Sequence, residues 1–236
     1  QYGLCLRNDN NQAGYYNLIY DNGGYIINDD KTKSGMDDPK TVEAMEMLEG
    51  WIKDGVLPPI ETMSENGEDV LLESGKVAMV PQGSWMIAAF RDNEYTAENC
   101  DCVELPKSAT TGRRASLYNG LGWAASANTE HPEEAWQLIE YLGSKEAQEK
   151  QAELGVTMSA YTGTSEAWAK SANFNLQAYI NMMDDMEIRP YSRSTVTWEN
   201  KNSEILKSVY SGDKTMADAC KEMAEQMNES LAEEQQ

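Results

Sequence analysis

From Gly75 to Met86 the chain reads Gly-Lys-Val-Ala-Met-Val-Pro-Gln-Gly-Ser-Trp-Met, and no other stretch limits the fold as much. Val77 to Val80 form a short apolar run, which Pro81, Gln82 and Gly83 stop. Ser84 is then placed to cap a helix through Met86, Ile87 and Phe90, since its hydroxyl can accept a hydrogen bond from a first-turn amide. The pattern predicts one strand-to-helix step of an α/β fold. In open α/β sheets the ligand crevice lies outside the carboxyl ends of the strands, which puts Trp85 at its mouth. A flat apolar ring beside free helix amides suits a ligand with an apolar face and hydroxyl edges, as a sugar has. The alternative is that Trp85 only packs the first helical turn, and this stretch alone leaves both readings open.

Composition narrows the partners. A chain of 236 residues can bury a sizeable core, in one large or two small domains. The formal net charge is -21 and no cluster of lysine or arginine interrupts it, so nucleic acid and anionic membrane surfaces, which need a basic footprint, are poor partners. No run approaches the roughly 20 apolar residues of a membrane span. Cys100 and Cys102 are too close in an extended run to bond comfortably and Cys220 lies on an apolar helix stripe, so free thiols are expected. With one histidine, His131, and no C-x-x-C, neither a metal nor another cofactor is expected.

Read in order, Tyr2 to Leu6 is a strand, Arg7 to Gln12 a polar loop and Ala13 to Asp21 a helix that Asn22-Gly-Gly24 ends as a left-handed cap would. Tyr25 to Ile27 reads as a short strand. Asp38 caps a helix with Pro39 at its first position, Val42, Met45, Leu48 and Ile52 on one face, and Gly55 closing it. Asp69 to Glu73 is a short helix leading to Val77. Further strands are expected over Cys102 to Leu105 and Leu117 to Ser126, with the polar link from Pro106 to Arg114 as a crossing between lobes. Glu133 onward is a helix with Ala135, Leu138, Ile139 and Leu142 on one face; His131, just before it, is expected to cap or lie exposed. Helices then run over about 145–154, 165–171, 174–183, 194–209 and 215–231. On the last, Met216, Ala219, Cys220, Met223, Met227 and Leu231 form one stripe, which reads as core rather than as a methionine-lined site.

Several phrases coincide in order and spacing: Tyr2-Gly-Leu4, Asn22-Gly-Gly24, Asp38-Pro39, Lys53-Asp-Gly-Val-Leu-Pro58, Ser74-Gly-Lys-Val-Ala-Met79, Gly83-Ser-Trp85, Leu105-Pro106, Gly122-Trp-Ala-Ala-Ser126 and His131-Pro-Glu-Glu-Ala-Trp136. Together they resemble the extracellular solute-binding proteins of carbohydrate ABC transporters, the maltose-binding-protein-like family. The resemblance implies an α/β, periplasmic-binding-protein-like II fold of the two-lobed Venus-flytrap kind. Under it, residues 1–105 and 155–236 belong to the C-terminal lobe and 106–154 are a returning segment of the N-terminal lobe. It also implies an export signal and the rest of an N-terminal lobe ahead of Gln1, work at the outer face of the cytoplasmic membrane or in the periplasm, and a lipid anchor at the N terminus.

By the same resemblance Trp85, with Gly83 and Ser84 beside it, matches a sugar-stacking tryptophan, and Trp198 matches a second. Tyr15 or Tyr16 falls at a ligand-facing aromatic, Asn119 and Gly120 near a glycine pair that lines the cleft, and Tyr191 and Arg193 in the irregular approach to Trp198, where they could supply hydrogen bonds. The implied function is a monomeric receptor that captures a sugar or oligosaccharide between its lobes and delivers it to the permease subunits of an ABC importer. A receptor for a peptide or polyamine is the alternative, because one scaffold serves many ligands. A glycosidase using paired carboxylates is a further reading. No pair among the 40 acidic residues sits in a recognisable catalytic setting, so no catalytic residue is expected.

Overall fold

A computed structural model describes residues 1–7 and 11–235, so part of the loop expected between Arg7 and Gln12 lies outside the described residues. Along the chain, β1 (Tyr2–Leu4) is followed by α1 (Tyr16–Asp21), α2 (Pro39–Lys53), α3 (Ile60–Glu65), α4 (Glu68–Glu73) and β2 (Val77–Met79). Next come α5 (Ile87–Asp92), α6 (Glu94–Asn99), β3 (Ser116–Tyr118), α7 (Pro132–Gly143), α8 (Lys145–Glu153), α9 (Ser165–Ala169) and α10 (Gln177–Asn181). The chain closes with β4 (Met186–Ile188), α11 (Thr195–Tyr210) and α12 (Met216–Glu234). It divides into two compact units: Gln1–Pro81, Leu105–Tyr118 and Asp185–Gln236 form the first, and Gln82–Glu104 with Asn119–Asp184 the second. The polar link from Pro106 thus starts one residue after a passage between units, whereas the boundary at 154/155 falls inside the second unit.

Among the described residues, four strands form two parallel pairs, both in the first unit. In one, Tyr2 stands opposite Val77 and Leu4 opposite Met79; in the other, Ser116, Leu117 and Tyr118 face Met186, Glu187 and Ile188. Parallel strands need a long crossover, and α1 to α4 supply it between β1 and β2. The capping chemistry of α2 is as expected. Asp38 accepts from the Lys40 amide at 3.0 Å, Pro39 occupies the first turn, and Gly55, at φ +67°, turns the chain away in a conformation that glycine adopts without strain. Thr215 caps α12 by accepting from the Asp218 amide at 3.2 Å.

The stripe of Met216, Ala219, Cys220, Met223, Met227 and Leu231 is fully buried, and α12 packs on α11 and α2 along it. Each such methionine or leucine contributes about 1.5–3 kcal/mol relative to an exposed one. Both Cys5 and Cys220 are buried free thiols, and Cys100 and Cys102 are free and partly exposed.

The second unit is helical in its described residues. Trp168 is its buried centre, with the Tyr179 ring edge-on at 5.6 Å. Asn93 caps α6 and Ser144 caps α8, accepting from the amides of Thr96 and Ala147 at 3.0 and 3.3 Å. On α7, Leu138 is exposed and Ala135, Ile139 and Leu142 are only half-buried. His131 is exposed and makes no side-chain cap.

Several elements depart from expectation. Cys102 to Leu105 is irregular rather than a strand, and the run expected over Leu117 to Ser126 is a strand only up to Tyr118. Extended residues become a strand only where another strand offers a ladder, and β4, in the break expected between two helices, offers one to three residues alone. Tyr25 to Ile27 makes a single bridge, Ile27 to Ser34. The helices α3 and α6 were not expected.

Candidate ligand-binding site

The second unit opens on the Gln82–Trp85 turn. Gln82 Oε1 accepts from the Gly83 amide at 2.9 Å, and the Gly83 carbonyl accepts from the Met86 amide at 3.1 Å, which starts a 3-10 turn over Ser84–Met86 ahead of α5. The Trp85 ring lies directly over Gly83: a Cβ on that glycine would come within 2.1 Å of the indole, so only glycine admits the ring there. The ring remains 41% exposed. Tyr179 donates its hydroxyl to the Gln82 carbonyl at 3.0 Å and ties the turn to α10. Ser84 does not act as the expected N-cap. Its hydroxyl is 2.8 Å from that of Thr157, and the tight first turn starts from Gly83 instead. Asn119 and Gly120, in the same unit, are exposed on the irregular segment after β3.

Three of the expected aromatics are core residues of the first unit and present no ring face to a ligand in this structure. Tyr15 and Tyr16 meet edge to face at 5.2 Å and are buried. Tyr16 donates its hydroxyl to Glu199 at 3.0 Å, and burial pushes the phenol well above its ordinary range. Trp198 is 0% exposed, and its indole N–H donates to Ser192 Oγ at 3.0 Å. The reason lies in its helix: Trp198, Asn202, Leu206 and Val209 fall on one inward face of α11. Glu199, one position on, is partly buried instead and is held by Arg189 Nη2 at 2.5 and 2.7 Å. Burial pushes the Glu199 carboxyl up, and Arg189 and the Tyr16 hydroxyl partly hold it back.

Tyr191 and Arg193, by contrast, are exposed on the loop between β4 and α11. The Lys31 ammonium lies 3.3 Å from the Tyr191 ring centroid, a cation–π contact that covers one face of a ring still 54% exposed. Lys31 itself comes from a turn knitted by Asn28, whose Oδ1 accepts from the amides of Thr32 and Lys33, both at 2.9 Å. The sequence reading missed Lys31 and Glu234, whose carboxylate caps the Tyr191 loop from the end of α12. A glutamate in the last turn of a helix opposes the helix dipole, and that mismatch was the available signal.

A second buried carboxylate anchors the segment leading to β3. Asp21 Oδ1 accepts from the Ala115 amide at 2.6 Å and the Asp21 carbonyl accepts from the Thr111 hydroxyl. Burial raises the Asp21 carboxyl to about 6, although the Ala115 amide, Arg113 and Arg114 oppose the rise. Arg114 pairs with Asp185 at 2.7 Å and Arg113 with Glu187 at 3.2 Å, so the residues leading into β3 are ion-paired to the start of the β4 segment.

The chain belongs to the family of bacterial extracellular solute-binding proteins, whose model matches residues 5–183. Its particular likenesses are to sugar receptors. It is 26% identical over 135 residues to the maltodextrin-binding protein MdxE of Bacillus subtilis (strain 168), covering 55% of this chain and 31% of that protein. The ABC substrate-binding protein Lmo0181 of Listeria monocytogenes, solved in complex with cycloalternan, superposes with a TM-score of 0.83 at 19% identity, over 98% of this chain and 59% of that one. The GacH receptor of Streptomyces glaucescens, solved unliganded and with acarbose, superposes with a TM-score of 0.84 at 19% identity, again over 98% and 59%. The chain therefore spans about three fifths of these solved structures and about a third of the curated relative. At such identities the likeness establishes the fold, the periplasmic-binding-protein-like II type expected from the sequence.

Proposed function

We propose that the protein is the substrate-binding receptor of an ABC importer, a two-lobed, monomeric receptor that captures a sugar or oligosaccharide and hands it to the membrane permease. The observation that carries this reading is the Trp85 indole, seated on Gly83 and left partly exposed, in a chain of the solute-binding family. An aromatic face of that kind binds the apolar face of a pyranose, while neighbouring hydroxyls and amides select its hydroxyl pattern. Gly83, Ser84, Trp85, Asn119, Gly120, Tyr191 and Arg193 are the residues assigned to the ligand. Trp198, Tyr15 and Tyr16 are assigned to the core.

The proposal also keeps the division into a C-terminal lobe, 1–105 with 155–236, and a returning N-terminal-lobe segment, 106–154. It places the protein outside the cytoplasmic membrane, held there by a lipid anchor, which metabolic labelling with a radioactive fatty acid would reveal in the native protein. The family is one of binding proteins rather than enzymes. Catalysis is accordingly absent from the proposal, and a labelled maltooligosaccharide should be returned uncleaved.

Calorimetry with maltotriose, a cyclic glucan, a short peptide and spermidine tests the reading on the full-length protein. Saturable binding of a sugar alone supports it. Binding of the peptide or of spermidine with no response to any sugar replaces it with the non-sugar receptor.

A further inference from the structure

The loop from Tyr191 to Ser194 is short and partly exposed, yet its backbone and hydroxyls are tied by hydrogen bonds, four of which end on a single carboxylate. Glu234, the last residue of α12, accepts from the Arg193 amide at 3.0 Å, the Ser194 amide at 2.6 Å, the Ser192 hydroxyl at 2.7 Å and the Ser194 hydroxyl. Ser192 Oγ in turn accepts from the Trp198 indole at 3.0 Å, and the Thr195 hydroxyl donates to the Ser192 carbonyl at 2.8 Å while accepting from the Ser192 amide at 2.7 Å. A chain of hydrogen bonds therefore runs from the buried Trp198, through Ser192, to Glu234, and encloses the backbone on either side of Arg193.

This arrangement runs against local preference. A carboxylate at the C-terminal end of a helix faces the negative end of that helix's dipole and is disfavoured there. What offsets it is a set of donors just ahead of α11, on that helix's positive side. Desolvation pushes the Glu234 carboxyl up, but the bonds from Ser194, Ser192 and the two amides outweigh it and hold the group at about 2, so it stays ionised throughout the neutral range. Local rules are broken in this way where a tertiary requirement overrides them.

The two side chains that the pinned loop displays are Tyr191 and Arg193. Both are exposed, neither is needed by the core, and Lys31 steadies the Tyr191 ring from one side. We infer that Glu234 is a positioning residue: it holds the Tyr191–Ser194 backbone in one conformation so that Tyr191 and Arg193 are presented to the ligand without being ordered at the moment of binding. The ligand half of this inference rests on the receptor reading above, whereas the pinning half stands on the hydrogen bonds alone. Pre-ordering of a loop raises affinity by removing the entropy cost of fixing it.

Two readouts on the full-length protein separate the halves. Arg193 is an exposed trypsin site, so the rate of cleavage at the Arg193–Ser194 bond reports the loop directly. Glu234→Ala should raise that rate about tenfold, as expected for the loss of hydrogen bonds to a charged group. Met223→Ala, a core change on the same helix, serves as the control for general loosening and should not raise cleavage at Arg193 selectively. Maltotriose affinity by calorimetry is the second readout: Glu234→Ala should weaken it about tenfold, Glu234→Gln should fall between the two because it keeps one acceptor oxygen, and Met223→Ala should leave it near wild type. In a Tyr191→Ala/Arg193→Ala background, Glu234→Ala should weaken binding no further. Unchanged cleavage in Glu234→Ala overturns the pin. Faster cleavage with unchanged affinity, or equal weakening in Met223→Ala, overturns the positioning role. If the wild-type protein binds no sugar at all, the receptor reading fails and takes the ligand half with it, while cleavage still decides the pin.

Discussion

Replacing Trp198 by alanine separates the core assignment of this ring from the sugar-stacking role that the sequence suggested. The side chain is fully buried, so its removal forfeits both the transfer free energy of a large aromatic and the contacts around the resulting cavity, about 3–5 kcal/mol together. It also removes the donor to Ser192, a further loss of about 1 kcal/mol. At about 2–4 °C per kcal/mol for a chain of this size, the sum of about 4–6 kcal/mol lowers the melting temperature by roughly 8–24 °C. Differential scanning calorimetry, checked by urea unfolding, measures it. Trp85→Ala is the matched comparison: with its ring partly exposed, it should keep a near-native melting temperature and lose about 1–3 kcal/mol of sugar binding. A Trp198→Ala protein that melts within about 3 °C of wild type yet loses its sugar affinity would refute the core assignment and return Trp198 to the ligand.

Three further outcomes follow from single features. Gly83→Ala forces its new methyl into the Trp85 ring, so the indole must swing away; tryptophan near-UV dichroism should change and sugar affinity should fall toward that of Trp85→Ala, while an unchanged spectrum would contradict the close approach. Asp21 has a folded pKa of about 6 against an ordinary 3.8, so the folded state holds the extra proton between those values and the group's contribution to stability declines as pH rises through that window. Asp21→Asn, which retains the oxygen facing the Ala115 amide, should therefore melt higher than wild type at pH 7.5 by the equivalent of at most about 3 kcal/mol and converge with it near pH 4; a pH-independent difference would rule this out. Burial pushes the thiols of Cys5 and Cys220 up to about 12 and that of Cys102 up to about 11, so iodoacetamide at pH 8 should label the partly exposed Cys100 first in the native protein and reach Cys5 and Cys220 only after denaturation.

Much of this protein is decided locally and was legible in the residues. The cap at Asp38 with Pro39, the glycine closure at Gly55 and the methionine stripe of α12 depend on neighbours within a turn or two, where propensity and periodicity act. The glycine before Trp85 belongs here too, because its close approach to the ring is set by residues two apart. The inward face of α11 was equally periodic, through Trp198, Asn202, Leu206 and Val209, and reading that spacing would have buried Trp198 without a structure. The strands that failed, Cys102 to Leu105 and the run beyond Tyr118, needed a partner whose position no local pattern specifies. The pairing of Ser84 with Thr157, of Asp21 with the Ala115 amide, of Lys31 with Tyr191, and of Glu234 with the Ser192–Ser194 loop joins residues 73, 94, 160 and about 40 positions apart. Such contacts depend on where the packed helices carry each side chain, a property of the assembled core and not of any segment, and they decide which aromatics remain at the surface to meet a ligand.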